Sequence, residues 1–143
     1  MSTMQKRPRT LVEVARRFAA RDQGFDEALR EFLDSFYASP TTRQGAIEGR
    51  PELLGPELLG PELLGGVHDQ YLAAVAEHLA RCSGLDVPEW TDHHGARLRK
   101  PFFAGGLESL KARLTVESPA AFRRRMIFVS HNALDRPRMP RPV

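Results

Sequence analysis

A stripe of large apolar side chains at helical spacing constrains the fold of this chain more than any other feature of its sequence. The stripe runs through residues 25–37 and consists of Phe25, Leu29, Phe32, Leu33 and Phe36. The opposite face of the same segment is charged and carries Glu27, Arg30, Glu31 and Asp34. Because a helix of this kind is stable only when its apolar face is covered, the chain must supply further elements that pack against it.

Two other segments are predicted to supply this cover. Thr10 and Glu13 have capping-box spacing, which predicts a helix that begins here and ends at Gly24. Residues 69–83 form a third periodic segment, and Gly84 follows it as a predicted terminal cap. We therefore predict a mainly α fold, a small helical domain.

The second half of the chain is less periodic. Pro and Gly are dense around Trp90, Phe102 and Phe103, which predicts an irregular segment that contains these aromatic residues and covers the core. The remaining predicted elements are a weak turn at 41–47, a helix at 107–114, a short helix from Ser118 through Arg125 with Ser118 as its cap, and one short strand near 126–129.

The length of 143 residues is enough for one domain and too small for two separate cores. We expect a flexible basic N-terminus at 1–9, a single helical domain at 10–135 and a disordered Pro/Arg tail at 136–143. Residues 51–65 are three perfect copies of Pro-Glu-Leu-Leu-Gly, whose prolines forbid a continuous helix and predict a jointed linker. Its leucine pairs are either docking hooks or an expansion that the domain tolerates.

Several protein classes are excluded by simple counts. No stretch approaches the roughly 18 apolar residues of a membrane span, and arginines precede any signal-peptide core, so we expect a cytoplasmic protein without membrane contact. Cys82 is the single cysteine, which excludes disulfide scaffolds and cysteine-rich zinc sites. At the end of an amphipathic helix, Cys82 is expected to be a small core or near-core residue.

The net charge of +3 conceals three zones. Residues 1–17 have a balance of +4, residues 18–96 a balance of −9, and residues 97–143 a balance of +8. This asymmetry indicates either that the segments match one another electrostatically or that a basic surface serves an anionic partner.

No group of residues predicts catalysis. The run Asp92-His93-His94 is the one cluster that resembles metal ligands, but adjacent histidines seldom converge on one ion, and a polar loop is the favoured interpretation. Phosphate-binding glycine loops and nucleophile motifs are absent from the sequence. We therefore predict a protein that is not an enzyme and uses no cofactor and no metal.

The strongest candidate for recognition is the segment 117–129, which places three arginines between aromatic and aliphatic residues. Arginine and aromatic side chains dominate interface hot spots. The alternative is that the apolar residues enter the core while the arginines pair with the acidic middle zone. The predicted partner-binding residues are Phe122, Arg123, Arg124, Arg125, Ile127, Phe128, Trp90, Phe102 and Phe103.

A nucleic-acid-binding role is the alternative function, because both ends of the chain are basic. The residues that would carry it are Lys6, Arg7, Arg9, Arg97, Arg99 and Lys100.

Four stretches resemble one known family: residues 25–37 (FDEALREFLDSFY), 71–80 (YLAAVAEHLA), 88–91 (PEWT) and 117–134. The family consists of small bacterial proteins that are often encoded beside a nucleotidyltransferase-like protein, in an arrangement similar to toxin–antitoxin pairs. The resemblance implies a non-catalytic, antitoxin-like partner that binds the neighbouring enzyme directly. It carries no catalytic residue over to this chain.

Overall fold

The computed structural model describes residues 7–51, 67–92, 101–104 and 110–136. Within these ranges the protein is mainly helical, as predicted. Its elements are α1 (Leu11–Ala19), α2 (Phe25–Ala38), a 3-10 turn (Pro40–Thr42), α3 (Arg43–Glu48), α4 (Val67–Ser83), a second 3-10 turn (Glu89–Asp92), β1 (Phe102–Phe103), α5 (Lys111–Glu117), α6 (Ala120–Arg123) and β2 (Ile127–Phe128).

Some predictions fall outside the described residues. They include the linker beyond Pro51, residues 1–6 of the basic N-terminus, the tail from residue 137 onward, and residues 107–109 of the predicted helix at 107–114, whose described part belongs to α5.

Helix α1 begins with the predicted cap. The Thr10 hydroxyl accepts a hydrogen bond from the Glu13 amide at 3.1 Å, and the Glu13 carboxylate accepts from the Arg9 amide at 2.5 Å. The predicted end at Gly24 is wrong. The helix closes earlier because Arg21 adopts a left-handed backbone with φ of 62°, and the Asp22 amide donates back to the Arg17 carbonyl at 2.9 Å.

Helix α2 buries the whole predicted stripe, from Phe25 to Phe36. Gly24, which was expected to end α1, is instead the N-cap of α2. The predicted turn at 41–47 is a 3-10 turn followed by the short helix α3, which buries Ala46 and Ile47.

Helix α4 lies at the centre of the core and contacts α3, α6 and the second 3-10 turn. Its buried residues include Leu72, Val75 and Leu79, with small alanines between them that allow close approach. The predicted cap is confirmed: Gly84 has φ of 70°, and the Leu85 amide donates to the Ala80 carbonyl at 2.8 Å.

Ser118 was predicted to cap the helix that follows it, and this prediction is wrong. Helix α6 has Pro119 at its N-cap and no side-chain cap there. Ser118 instead closes α5, because its amide donates to the Leu114 carbonyl at 3.1 Å. Its buried hydroxyl accepts the Val129 amide at 2.8 Å and so ties α5 to the end of β2.

The predicted strand near 126–129 is β2, and it pairs in parallel with β1. Phe102 lies opposite Ile127 and Phe103 opposite Phe128. The Phe102 amide donates to the Met126 carbonyl at 2.9 Å. The residues of β1 were predicted to be irregular, and this prediction is wrong. The sequence could not indicate the strand, because two residues are too few to show a period.

In the described part of the chain, no helix combines the length and the apolar character that membrane crossing requires.

Candidate partner-binding site

A buried carboxylate on α4 is the centre of the candidate site. The Glu77 side chain is 2% exposed and accepts hydrogen bonds from three guanidinium groups. Arg125 Nη1 donates to Oε1 at 2.7 Å, Arg124 Nε donates to Oε1 at 2.9 Å, and Arg81 Nε donates to Oε2 at 2.8 Å. Arg81 lies one turn after Glu77 on α4, whereas the other two arginines follow α6.

The arginines keep the Glu77 carboxyl ionised. Burial alone would raise the pKa of Glu77, but hydrogen bonds from the three guanidinium groups outweigh desolvation and lower this pKa to about 2. The carboxylate is therefore a permanent anion at neutral pH, and it fixes the positions of the arginines around it.

Arg125 is the largest of the fully buried side chains, with 0% exposure. Besides Glu77, it donates from Nη1 to the Ala121 carbonyl at 2.7 Å and from Nη2 to the Thr91 carbonyl at 3.0 Å. The next residue, Met126, has a left-handed backbone with φ of 64°. A buried guanidinium is stable only with such partners, so Arg125 is a structural residue of the core.

Four of the predicted partner-binding side chains are buried in this structure, and this corrects the predicted surface. Phe122 and Ile127 are fully buried, and Phe128 is buried with its ring stacked on Phe103 at a centroid distance of 4.9 Å. Arg125 is enclosed with Glu77. Burial of the apolar area of Phe122, Ile127 and Phe128 stabilises the fold. None of the four side chains is therefore available to contact a partner.

For segment 117–129, the structure agrees with the alternative interpretation, in which the apolar residues enter the core and the arginines pair with the acidic middle zone. The aromatic residues of this segment enter the core, and two of its arginines, Arg124 and Arg125, pair with Glu77 and Asp92, which both belong to the acidic middle zone. Of the three predicted arginines, Arg123 and Arg124 remain exposed.

The other predicted aromatic residues are partly buried. Trp90 Nε1 donates to the Ile47 carbonyl at 3.0 Å, and Phe102 packs against the core. Phe103 has the Lys111 ammonium over its ring at 5.2 Å. Trp90 lies in the second 3-10 turn, and Asp92 ends the same turn. Because Asp92 accepts a hydrogen bond from Arg124 Nη2 at 2.8 Å, this turn joins Trp90 to the arginines around Glu77.

Trp90 also lines an open groove of about 600 Å³ together with Glu48, Arg50, Asp86, Val87 and Glu89. Its carboxylates outnumber its single guanidinium group, so its charge is opposite to that of the arginines near Glu77. Gln44 braces one wall, because its side chain donates to the Asp86 carbonyl at 3.0 Å and accepts from the Asp86 amide at 2.9 Å.

Two exposed arginines that bind Glu77 form a surface that we call the arginine face, defined by Arg81 and Arg124. The side chains of Arg81 and Arg124 are 63% and 43% exposed, and both bind the same carboxylate, so they lie side by side. Arg123 Nη1 donates to the Val116 carbonyl at 3.3 Å, and Val116 is 77% exposed.

Sequence reasoning missed Arg81 and Val116. The signal for Arg81 was its spacing of four residues from Glu77 on a predicted helix, which places the two side chains on one face. The exposure of Val116 has no comparable signal in the sequence.

The alternative nucleic-acid-binding residues are only partly described. Arg7 and Arg9 are exposed. Lys6, Arg97, Arg99 and Lys100 lie outside the described residues.

Cys82 is exposed, so the prediction that it lies in or near the core is wrong. The thiol lies 3.5 Å from Nε2 of His78, on the same side of α4, and burial lowers the pKa of His78. Among the described residues, no three His, Cys, Asp or Glu side chains are grouped to hold a metal ion. His93 and His94 lie outside those residues.

No family model, curated protein or solved structure matches this chain.

Proposed function

We propose that this chain is a non-catalytic protein-binding module, the antitoxin-like partner of a neighbouring nucleotidyltransferase-type enzyme, which it neutralises or regulates by direct binding. The observation that supports binding is the arginine face, on which two exposed guanidinium groups are fixed by one buried carboxylate. The antitoxin-like role rests on the family resemblance. A cytoplasmic location is part of the same proposal.

The composition of the arginine face suits a protein partner. Arginine is enriched at interface hot spots, where its planar group binds carboxylates in a defined orientation. Arg123, the residue before Arg124, donates to the carbonyl of Val116, whose apolar side chain is exposed. We propose that this face covers an acidic cleft of the enzyme.

The test is capture of the partner from the cells that produce this protein. The tagged chain is used as bait with and without nuclease, and the bound proteins are identified by mass spectrometry. We expect one stoichiometric protein that survives nuclease. Recovery of nucleic acid alone would overturn the proposal and favour the alternative function.

A pair of double variants tests the surface. Arg81→Gln with Arg124→Gln removes two charges from the arginine face and is expected to abolish capture. Arg16→Gln with Arg30→Gln removes two exposed charges from α1 and α2 and is expected to preserve it. If both double variants captured the partner equally well, the arginine face would be excluded as the binding surface. Arg125 is left unchanged in both double variants because it is buried and its loss would destabilise the fold.

A further inference from the structure

Arg124 holds two carboxylates of very different exposure. Glu77 is 2% exposed, whereas Asp92 is 69% exposed and its Oδ1 lies 2.8 Å from Arg124 Nη2. The first contact belongs to the core. The second lies in water, where an ion pair contributes little to stability and exchanges readily.

We propose that Asp92 is an internal stand-in for a carboxylate of the partner: it occupies Arg124 in the unbound protein, and an Asp or Glu side chain of the partner displaces it. This inference rests on the proposed function, because it assigns the chemistry of the ligand that the arginine face binds.

The charge balance favours such an exchange. Arg81, Arg124 and Arg125 carry three positive charges around Glu77 and Asp92, which carry two negative charges. When Asp92 leaves, the cluster has two positive charges in excess at an open surface, and an anion of the partner restores the balance.

Unused donors are present beside Arg124. Within the described residues, Arg81 donates through Nε alone, to Glu77. A guanidinium group has five N–H donors, so Arg81 retains several for a ligand next to Arg124.

The contact that Asp92 already makes identifies the ligand class. A carboxylate fits Arg124 Nη2 at hydrogen-bond distance in this structure, and a partner carboxylate needs only to reproduce that contact. We therefore assign an acidic protein segment to the face in preference to a nucleic acid.

The test measures binding of a fluorescent hexaglutamate peptide to the full chain by polarisation at low salt. Asp92→Asn removes the stand-in and is expected to tighten binding about two- to fivefold, the range that exposed ion pairs represent. The matched control is Glu89→Gln, which removes the same charge from another exposed position of the same 3-10 turn and leaves Arg124 with Asp92. We expect a smaller gain for Glu89→Gln.

Arg124→Gln is expected to lose most of the affinity, with circular dichroism used to verify that the variant folds. Equal gains in affinity for Asp92→Asn and Glu89→Gln would show that only net charge matters and would overturn the inference. Absence of hexaglutamate binding by every variant would also overturn it. A gain for Asp92→Asn that is seen with an oligonucleotide but not with hexaglutamate would overturn the assignment to carboxylate.

The failure of this inference is distinguishable from failure of the proposed function. Capture of a stoichiometric protein without any specific gain for Asp92→Asn leaves the proposed function standing and removes the stand-in. A specific gain with hexaglutamate, together with recovery of nucleic acid alone in the capture experiment, removes the proposed function and leaves only a carboxylate-binding site at Arg124 that Asp92 occupies.

Discussion

Arg125 Nη1 lies 2.7 Å from Glu77 Oε1, and both side chains are almost completely buried. The contact joins α4 to the turn after α6 across 48 residues of sequence. A buried ion pair is stable when it is complete and costly when one partner is removed, because the remaining charge has neither water nor a counterion. The arginine-rich segment therefore has a structural half, at Arg125, and an exposed half, at Arg123 and Arg124.

Removal of the buried carboxylate charge should strongly destabilise the fold. We expect Glu77→Gln to lower the free energy of unfolding by about 3–5 kcal/mol, because Arg125 then keeps its charge in the core without an anion. Urea denaturation measures the loss. Glu27→Gln, an exposed change on α2, is the control and should shift the free energy of unfolding by less than about 0.5 kcal/mol.

A double variant separates an unpaired charge from lost packing. Glu77→Leu with Arg125→Met removes both charges and keeps apolar volume, so we expect it to recover most of the stability that Glu77→Gln loses. A double variant as unstable as Glu77→Gln would contradict this explanation of the loss.

The stability that Glu77 supplies should depend on pH in the acid range. Its pKa is about 2 in the folded chain against an ordinary value of 4.5, so its contribution is complete above pH 4.5 and is lost as the pH falls towards 2. The shift corresponds to roughly 3 kcal/mol. We expect the stability difference between the native chain and Glu77→Gln to shrink over this window, as measured by urea denaturation at several pH values. A difference that is constant from pH 5 to pH 2 would contradict the lowered pKa.

Ser118 should be more important than a serine at a helix end usually is. In Ser118→Ala the buried amide of Val129 loses its acceptor, and we expect a loss of about 1–3 kcal/mol in the free energy of unfolding. Thr115→Ala is the matched control, because the hydrogen bond that it removes, from the Thr115 hydroxyl to the Lys111 carbonyl of the same helix, is exposed to solvent. Thermal or urea unfolding of the two variants makes the comparison, and equal losses would contradict a special role for Ser118.

Arg21 is a position where glycine should be better than the native residue. Its φ of 62° is left-handed, and its side chain is exposed, so Arg21→Gly relieves strain without removing packing. We expect a gain of about 1 kcal/mol in the free energy of unfolding. Ala20→Gly, at the adjacent position with φ of −80°, should instead destabilise the protein. A loss at both positions would show that glycine is unfavourable throughout this turn.

The parts of the fold that could be predicted are those whose signals are local. The stripe of α2, the Thr10 cap and the Gly84 cap each depend on residues within a few positions of one another, and the structure contains all three. The end of α1 was mispredicted because a nearby glycine is usually the left-handed residue, whereas here Arg21 adopts that conformation.

The centre of the site could be predicted only in part. Arginine is rarely buried, so nothing in the sequence near Arg125 distinguishes it from its exposed neighbours. The informative signal was in α4, where Glu77 interrupts a segment that is apolar around most of its circumference. Such a helix is buried, and a charge within it requires a partner. Which arginines provide that partner depends on contacts across nearly 50 residues, and no local pattern contains this information.

The buried position of Glu77 also affects how a partner would be bound. An arginine side chain in water samples many rotamers, and ordering such a side chain at an interface costs about 0.5–1.5 kcal/mol. Arg81 and Arg124 are already ordered by Glu77 before any encounter, so a partner that binds them avoids much of this entropic cost. Most affinity differences between related complexes arise in the dissociation rate, and we expect the benefit there. A residue that the partner never contacts would in this way lengthen the lifetime of the complex.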